Sequence, residues 1–135
     1  MGAEVPDRPQ GGVHPGGESG PDVRKRIKAL TARGGKLVVI DPRCTETAAL
    51  ASEHHFIRPG TDALFLLALL HTLFTESLVD TGHLAGFTSG LDEVHAAIAA
   101  FTPEYAAAHT GIEADTIRGI AREFATAGAG ICYGR

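Results

Sequence analysis

Val23, Ile27 and Leu30 follow one another at spacings of four and three among charged neighbours, which is one face of a helix. The pattern predicts a helix over roughly 21–33. Pro21 and Asp22 suit its first turn and the positive end of its dipole, and "RGG" at 33–35 is a stop. The period then changes. "KLVVI" (36–40) is a short unbroken apolar run, which predicts a central strand of a parallel sheet, covered on both faces, with Asp41 at its carboxyl end. Thr45 to Ala51 predict a short helix with Thr45 and Glu46 near its start, and "HHFIRPG" (54–60) a second extended piece. Over 60–77 Leu and Phe occur almost all round, which predicts a helix buried on most sides. "GLDEVHAAIAAF" (90–101) reads as a helix. "TPEYAAAHTG" (102–111) reads as another, with a Thr cap, Pro in the first turn and a terminal Gly. Residues 112–128 are amphipathic, with Ile117, Ile120, Ala121 and Phe124 directed inward, and "AGICYG" (129–134) reads as a further strand.

Helix, strand, short helix, extended piece, several helices and strand, in that order, imply an α/β fold with a parallel sheet. The expected form is a partial doubly wound, Rossmann-like sheet with flanking helices. It is expected to be incomplete at both ends, because the chain opens inside one βα unit and stops as a strand begins. Residues 1–20 are mostly Gly, Pro and polar, so a disordered N-terminal segment is expected there, followed by a partial α/β domain over 21–135.

Composition narrows this picture. A chain of 135 residues is one domain or part of one, and 44% apolar residues with six Phe, two Tyr and no Trp make a modest aliphatic core. Sixteen acids against twelve Lys and Arg give a net charge of −4, which argues against a general nucleic-acid surface. The cations at Arg24, Lys25, Arg26, Lys28, Arg33 and Lys36 read as a solvated helix face in preference to a phosphate patch. Cys44 and Cys132 are too far apart for a disulfide framework or zinc pattern; Cys132 is expected in the core, and neither has a neighbouring base. The N-terminus has no apolar signal core, and the apolar stretch Ala63–Leu70 is too short to span a bilayer. A cytoplasmic product without membrane insertion is expected.

In doubly wound sheets, ligands sit beyond the carboxyl ends of the strands. Asp41 stands at such an end, where an acid accepts hydrogen bonds from a ribose diol; it is equally placed to form a turn before Pro42. The turn "PGTD" stands at the next. The Asp62 carboxylate has two acceptors, which match the ring N–H and exocyclic amino group on one edge of guanine, and Gly60 would admit a close approach by the base. The alternative is that Thr61 or Asp62 only caps the following helix. His54 and His55 beside Glu53 resemble a metal site on paper, but neighbours on an extended segment point to opposite sides, so loop or surface histidines are expected. There is no GxGxxG, GxxxxGK[ST] or HExxH motif. No catalytic and no metal-ligating residue stands out.

Taken together, "KLVVIDPRCTETAALASEHHFIRPGTDALFLLALLHTLF" (36–74), "SLVDTGHLAGF", "FTPEYAAAHTGI" (101–112) and the helix leading to "ICYGR" resemble the molybdopterin oxidoreductases. These are the bis-molybdopterin-guanine-dinucleotide enzymes that include formate dehydrogenases, nitrate reductases and dimethyl sulfoxide reductase. The likeness covers roughly residues 21–135. It implies that Asp41, Arg43 and Thr45 lie in a loop against the nucleotide of the molybdenum cofactor, with Gly60, Thr61 and Asp62 forming the turn around its guanine end. It also implies an internal piece of a longer large subunit, whose remainder, or a split-gene partner, would be the binding partner. The family's iron–sulfur cysteines and molybdenum-ligating region have no counterpart here. "GGVHPGGESG" (11–20) stands where the family has a further nucleotide loop, and Cys44 where it often has Arg. The isolated chain is therefore expected to carry no cofactor and to be inactive. The alternative class is a non-catalytic α/β module that binds a nucleotide or a partner, or an inactive truncated gene product.

Overall fold

The computed structural model describes residues 22–134, so the expectations for residues 1–20, Pro21 and Arg135 lie outside it. Helix α1 (Val23–Ala32) starts where Asp22 accepts a hydrogen bond from the Lys25 amide at 3.0 Å, and it buries Ile27 alone. Its cations are exposed, as a solvated face requires. Strand β1 (Val38–Ile40) pairs in parallel with β2 (Glu53–His55), Val38 opposite Glu53 and Ile40 opposite His55. Between them runs α2 (Glu46–Leu50), capped by Thr45, whose hydroxyl oxygen accepts from the Ala48 amide at 3.2 Å. The chain is thus α/β, with a parallel sheet of two strands among the described residues. The strand expected to be covered on both faces is half-buried at all three positions, because β2 is its single described neighbour.

Five further elements follow: α3 (Asp62–Thr75), a 3₁₀ turn (Gly82–Gly86), α4 (Leu91–Ile98), α5 (Pro103–Thr110) and α6 (Ala114–Thr126). Thr102 caps α5 through the Tyr105 amide, Pro103 fills its first turn and Gly111 closes it at φ +81°. The core joins Ile57, Phe65, Ala68, Ala106, Ile112 and Ile117, with Ile40, Leu69 and Ile120 packed against it. Ala68 and Ala106 are fully buried, and their small side chains let α3, α5 and α6 approach closely. Thr72 is also buried there, its hydroxyl donating to the Ala68 carbonyl one turn back at 3.0 Å.

Lys36, just before β1, ties the sheet to the helices: its Nζ lies 2.6 Å from Glu53 and 2.5 Å from Glu123 of α6. Arg122 holds Glu76 with two hydrogen bonds of 2.7 Å, and Arg118 pairs with Glu104 and Asp115.

Four further expectations are corrected. Residues 129–134 form no strand: Ile131 and Tyr133 are 92% and 84% exposed, and among the described residues no neighbouring strand pairs with this backbone. Cys132, in the same segment, is exposed and not core. Phe124 is exposed, its ring lying over Gly130 beside the helix. The long helix α3 is buried along Phe65, Ala68 and Thr72, but Leu66 and Leu70 on its other side stay open.

Candidate functional site at the carboxyl ends of the parallel strands

Asp41 directly follows β1, and its amide donates to the His55 carbonyl at 3.2 Å, extending the ladder by one bond. The Asp41 carboxylate accepts from the Arg43 amide at 2.7 Å, so this residue does form the turn before α2. That bond uses one oxygen, Oδ1, and leaves Oδ2 unpaired among the described residues. The Asp41 carbonyl lies 3.0 Å from His54 Nε2, which links the loop to β2. The Arg43 side chain is exposed and makes no ion pair among the described residues. The Thr45 hydroxyl oxygen accepts the α2 cap bond, and its proton has no acceptor among the described residues.

The second loop leaves β2 through Phe56 and Ile57. Arg58 then anchors it: its amide donates to the Thr110 carbonyl at 2.9 Å, and its guanidinium Nη1 to the Ala108 and His109 carbonyls at 2.9 and 3.3 Å, the open carbonyls at the end of α5. The Arg58 carbonyl accepts from both the amide and the hydroxyl of Thr61. Gly60 sits inside that turn at φ +81°, a left-handed conformation with open space where a Cβ would stand. Thr61 precedes α3 but makes no side-chain cap, because its hydroxyl is turned back to Arg58. Asp62 lies in the first turn of α3, exposed, its carboxylate without a hydrogen-bond partner among the described residues. Neither side chain therefore does the capping work that was the alternative reading.

The two loops thus emerge from adjacent, in-register strands at the same end of the sheet. All six expected residues belong to them: Asp41, Arg43 and Thr45 to the first, Gly60, Thr61 and Asp62 to the second. Beside them, His54, His55, Phe56, Gly111, Ile112, Glu113 and Thr116 line an open cleft of about 290 Å³. Arg58, Phe56 and Glu113 also stand at or beside these loops, and no sequence motif singles them out. The first stands next to "PGTD" and could have been noticed, but the other two meet only through the tertiary fold.

No family model matches the chain. Individual relatives do. It is 38% identical over 108 residues to the molybdopterin-containing subunit of a thiosulfate reductase from Salmonella typhimurium, across 78% of this chain and 14% of that protein. It is 34% identical over 118 residues to formate dehydrogenase H of Escherichia coli, across 87% of this chain and 16% of that protein. A dimethyl sulfoxide/trimethylamine N-oxide reductase of Rhodobacter capsulatus matches at 33% over 123 residues, 86% of this chain and 14% of that protein. Among solved structures, acetylene hydratase from Pelobacter acetylenicus superposes with a TM-score of 0.71 at 33% identity, over 76% of this chain and 14% of that one. The chain belongs to the molybdopterin oxidoreductase family. It spans about a seventh of the length of these molybdopterin oxidoreductase relatives.

Among the described residues Asp62 and Asp41 offer unpaired acceptor oxygens, Arg43 a cation without an ion pair and Gly60 an open cradle, groups whose chemistry could hold a nucleotide. Among the described residues no group of three His, Cys, Asp or Glu is placed to hold a metal ion, and His55 is turned to Glu53 at 3.3 Å. No helix among them is long and apolar enough to cross a membrane.

Proposed function

We propose that this chain holds the guanine dinucleotide part of a molybdopterin cofactor, as a fragment of a molybdopterin oxidoreductase large subunit within a doubly wound, Rossmann-like domain. The observation that supports this most is the free Asp62 carboxylate beside the left-handed Gly60, at the carboxyl end of a parallel strand. In this reading Asp62 accepts from the ring N–H and amino group of guanine, and Gly60 and Thr61 shape the turn beneath the base. Asp41 accepts from a ribose diol through the oxygen its turn leaves free. Arg43 and the Thr45 hydroxyl donate to phosphate oxygens. Bound in the whole enzyme, the cofactor would supply the redox chemistry; the residues here bind and orient its tail. The remainder of the large subunit, or a split-gene partner, would carry the metal ligands.

Amide chemical shifts of the labelled chain, titrated with GMP and AMP, test the assignment. GMP is expected to move Gly60, Thr61 and Asp62, and AMP, which lacks the donor pair, to leave them in place. Asp62→Asn should weaken GMP at least about tenfold, since a hydrogen bond to a charged partner is worth about 1.5–3 kcal/mol. Equal responses to GMP and AMP at these amides, or an unchanged Asn variant, would contradict the reading. The purified chain is further expected to contain no stoichiometric molybdenum by elemental analysis.

A further inference from the structure

The turn that carries Gly60 is held from outside itself. Arg58, Pro59, Gly60 and Thr61 form a β-turn closed by the Thr61 amide, which donates to the Arg58 carbonyl at 3.3 Å. Pro59 in its second place and Gly60 at φ +81° in its third are the residue types of a type II turn. The same carbonyl accepts from the Thr61 hydroxyl at 2.6 Å, so one oxygen fixes both the backbone and the side chain of Thr61. That oxygen can orient Thr61 only if Arg58 is itself held still. Arg58 reaches the last three carbonyls of α5: its amide donates to Thr110, and its Nη1 to Ala108 and His109 at 2.9 and 3.3 Å. Those carbonyls have no partner within the helix and form the negative end of its dipole, which suits a guanidinium. The anchor is firm, because Thr110 is completely buried and Ile57, just before Arg58, is core.

We propose that Arg58 is a positioning residue: by bonding the end of α5 it fixes the carbonyl that orients Thr61, and so aims the Asp62 carboxylate. This rests on the reading that Asp62 pairs with guanine. Arg58 touches no ligand in it and acts only through the turn. A carboxylate meets two neighbouring donors at once only when both its oxygens lie along the edge that bears them. Asp62 opens α3, so its direction follows the turn just before it. Without the guanidinium, Arg58 keeps only its amide bond to Thr110. The Thr61 hydroxyl is then free to leave the loosened carbonyl and cap α3, the ordinary work of a Thr in that place. Two arrangements of the turn replace one, and affinity falls with the fraction that stays competent. Lysine supplies a point charge to the same carbonyls without the planar fork, so it replaces the anchor in part.

Two measurements on the labelled chain test this, the first without ligand. Three-bond couplings are expected to show one Thr61 χ1 rotamer in the parent, an average over several in Arg58→Met, and a return towards one in Arg58→Lys. The second is titration with GMP, read at the Gly60 and Asp62 amides. Arg58→Met should weaken GMP about fivefold, as when a fifth of the molecules hold the competent turn, and Arg58→Lys should recover part of the loss. AMP, read at the Arg43 and Thr45 amides, should bind Arg58→Met and the parent alike. Ile117→Val, which loosens the core away from the turn, should keep the parent's GMP affinity, so a general loss of stability does not imitate the effect. Arg58→Met combined with Asp62→Asn should lose no more than Asp62→Asn alone, because the one acts through the other. Thr61→Val removes the same hydroxyl bond with Arg58 intact, and should weaken GMP similarly even if Arg58→Met does not fold. A single Thr61 rotamer in Arg58→Met, a folded Arg58→Met that binds GMP like the parent, or losses that add in the double variant would each overturn the inference. A parent without a GMP response would overturn the guanine reading instead, and the Thr61 rotamer would still decide whether Arg58 orients the turn.

Discussion

Thr110 is completely buried, and its hydroxyl oxygen accepts from the Ile112 amide at 3.2 Å, holding the turn between α5 and α6. Thr110→Val keeps the shape but leaves that buried N–H without a partner. A loss of about 1–3 kcal/mol is expected in urea denaturation, with Thr110→Ser recovering part of it. Ile117, fully buried where α6 meets the core, should lose about 2–5 kcal/mol on truncation to Ala. Titration adds a pH dependence. The hydrogen bond from Lys36 holds the Glu53 carboxyl below its ordinary value of 4.5, and the guanidinium groups of Arg122 and Arg118 do the same for Glu76 and Glu104. Below about pH 4.5 the unfolded chain therefore takes up protons that the folded chain resists. The stabilisation is complete above that pH and is lost as pH falls through the lowered folded values. Lys36 is the mirror case: the hydrogen bond to Glu123 first, and that to Glu53 second, raise it above 10.5. Its contribution is complete below pH 10.5 and is lost as pH rises through the folded value. Thermal melts across acid pH should show a shallower fall for Glu53→Gln than for the parent; parallel curves would mean that the Lys36 contacts add nothing.

At the scale of elements, the turn between β2 and α3 depends on backbone conformation more than on contact. Gly60→Ala meets no neighbour, yet must hold φ +81°, at a cost of about 1–2 kcal/mol visible as a lower melting temperature. Elements defined by local chemistry were legible in the sequence. The predicted helix over 21–33 corresponds to Val23–Ala32, and the caps at Thr45 and Thr102 and the stop at Gly111 fall where the residue types indicate. Elements defined by distant partners were not. "AGICYG" has the composition of a strand, but a strand exists only where another supplies its hydrogen bonds, and 129–134 has no such neighbour among the described residues. Phe124 sits at helical spacing from Ile117 and Ile120, and whether it turns inward depends on the width of the groove that α3 and α5 leave for α6. For the candidate site, the sequence indicated which loops hold Asp41 and Asp62. It could not indicate that Thr61 would turn its hydroxyl away from α3, because that follows from where Arg58 is held.

Across the whole molecule, apolar surface is unevenly distributed. Leu66 and Leu70 lie one turn apart on the open side of α3, and Phe87, after the 3₁₀ turn, is 89% exposed. Such surface favours association when it is left uncovered. Light scattering after size exclusion should show less self-association for a Leu66→Lys, Phe87→Ser double variant than for the parent, with an unchanged far-ultraviolet spectrum. Equal association would mean that these residues are not the sticky surface.

Arg58 joins the end of one helix to the turn that begins another, since its guanidinium closes α5 while its carbonyl holds Thr61. In terms of hydrogen exchange, the Gly60 turn and the last turn of α5 then open together. The protons of Thr61 and Gly111, fifty residues apart in sequence, should exchange at rates set by a single shared opening. Removing the guanidinium, as in Arg58→Met, should speed both by a similar factor and leave amides in the middle of α6 unaffected. A turn that is stiff only while a distant helix is intact gives any molecule seated on it a direct influence on how often that helix frays.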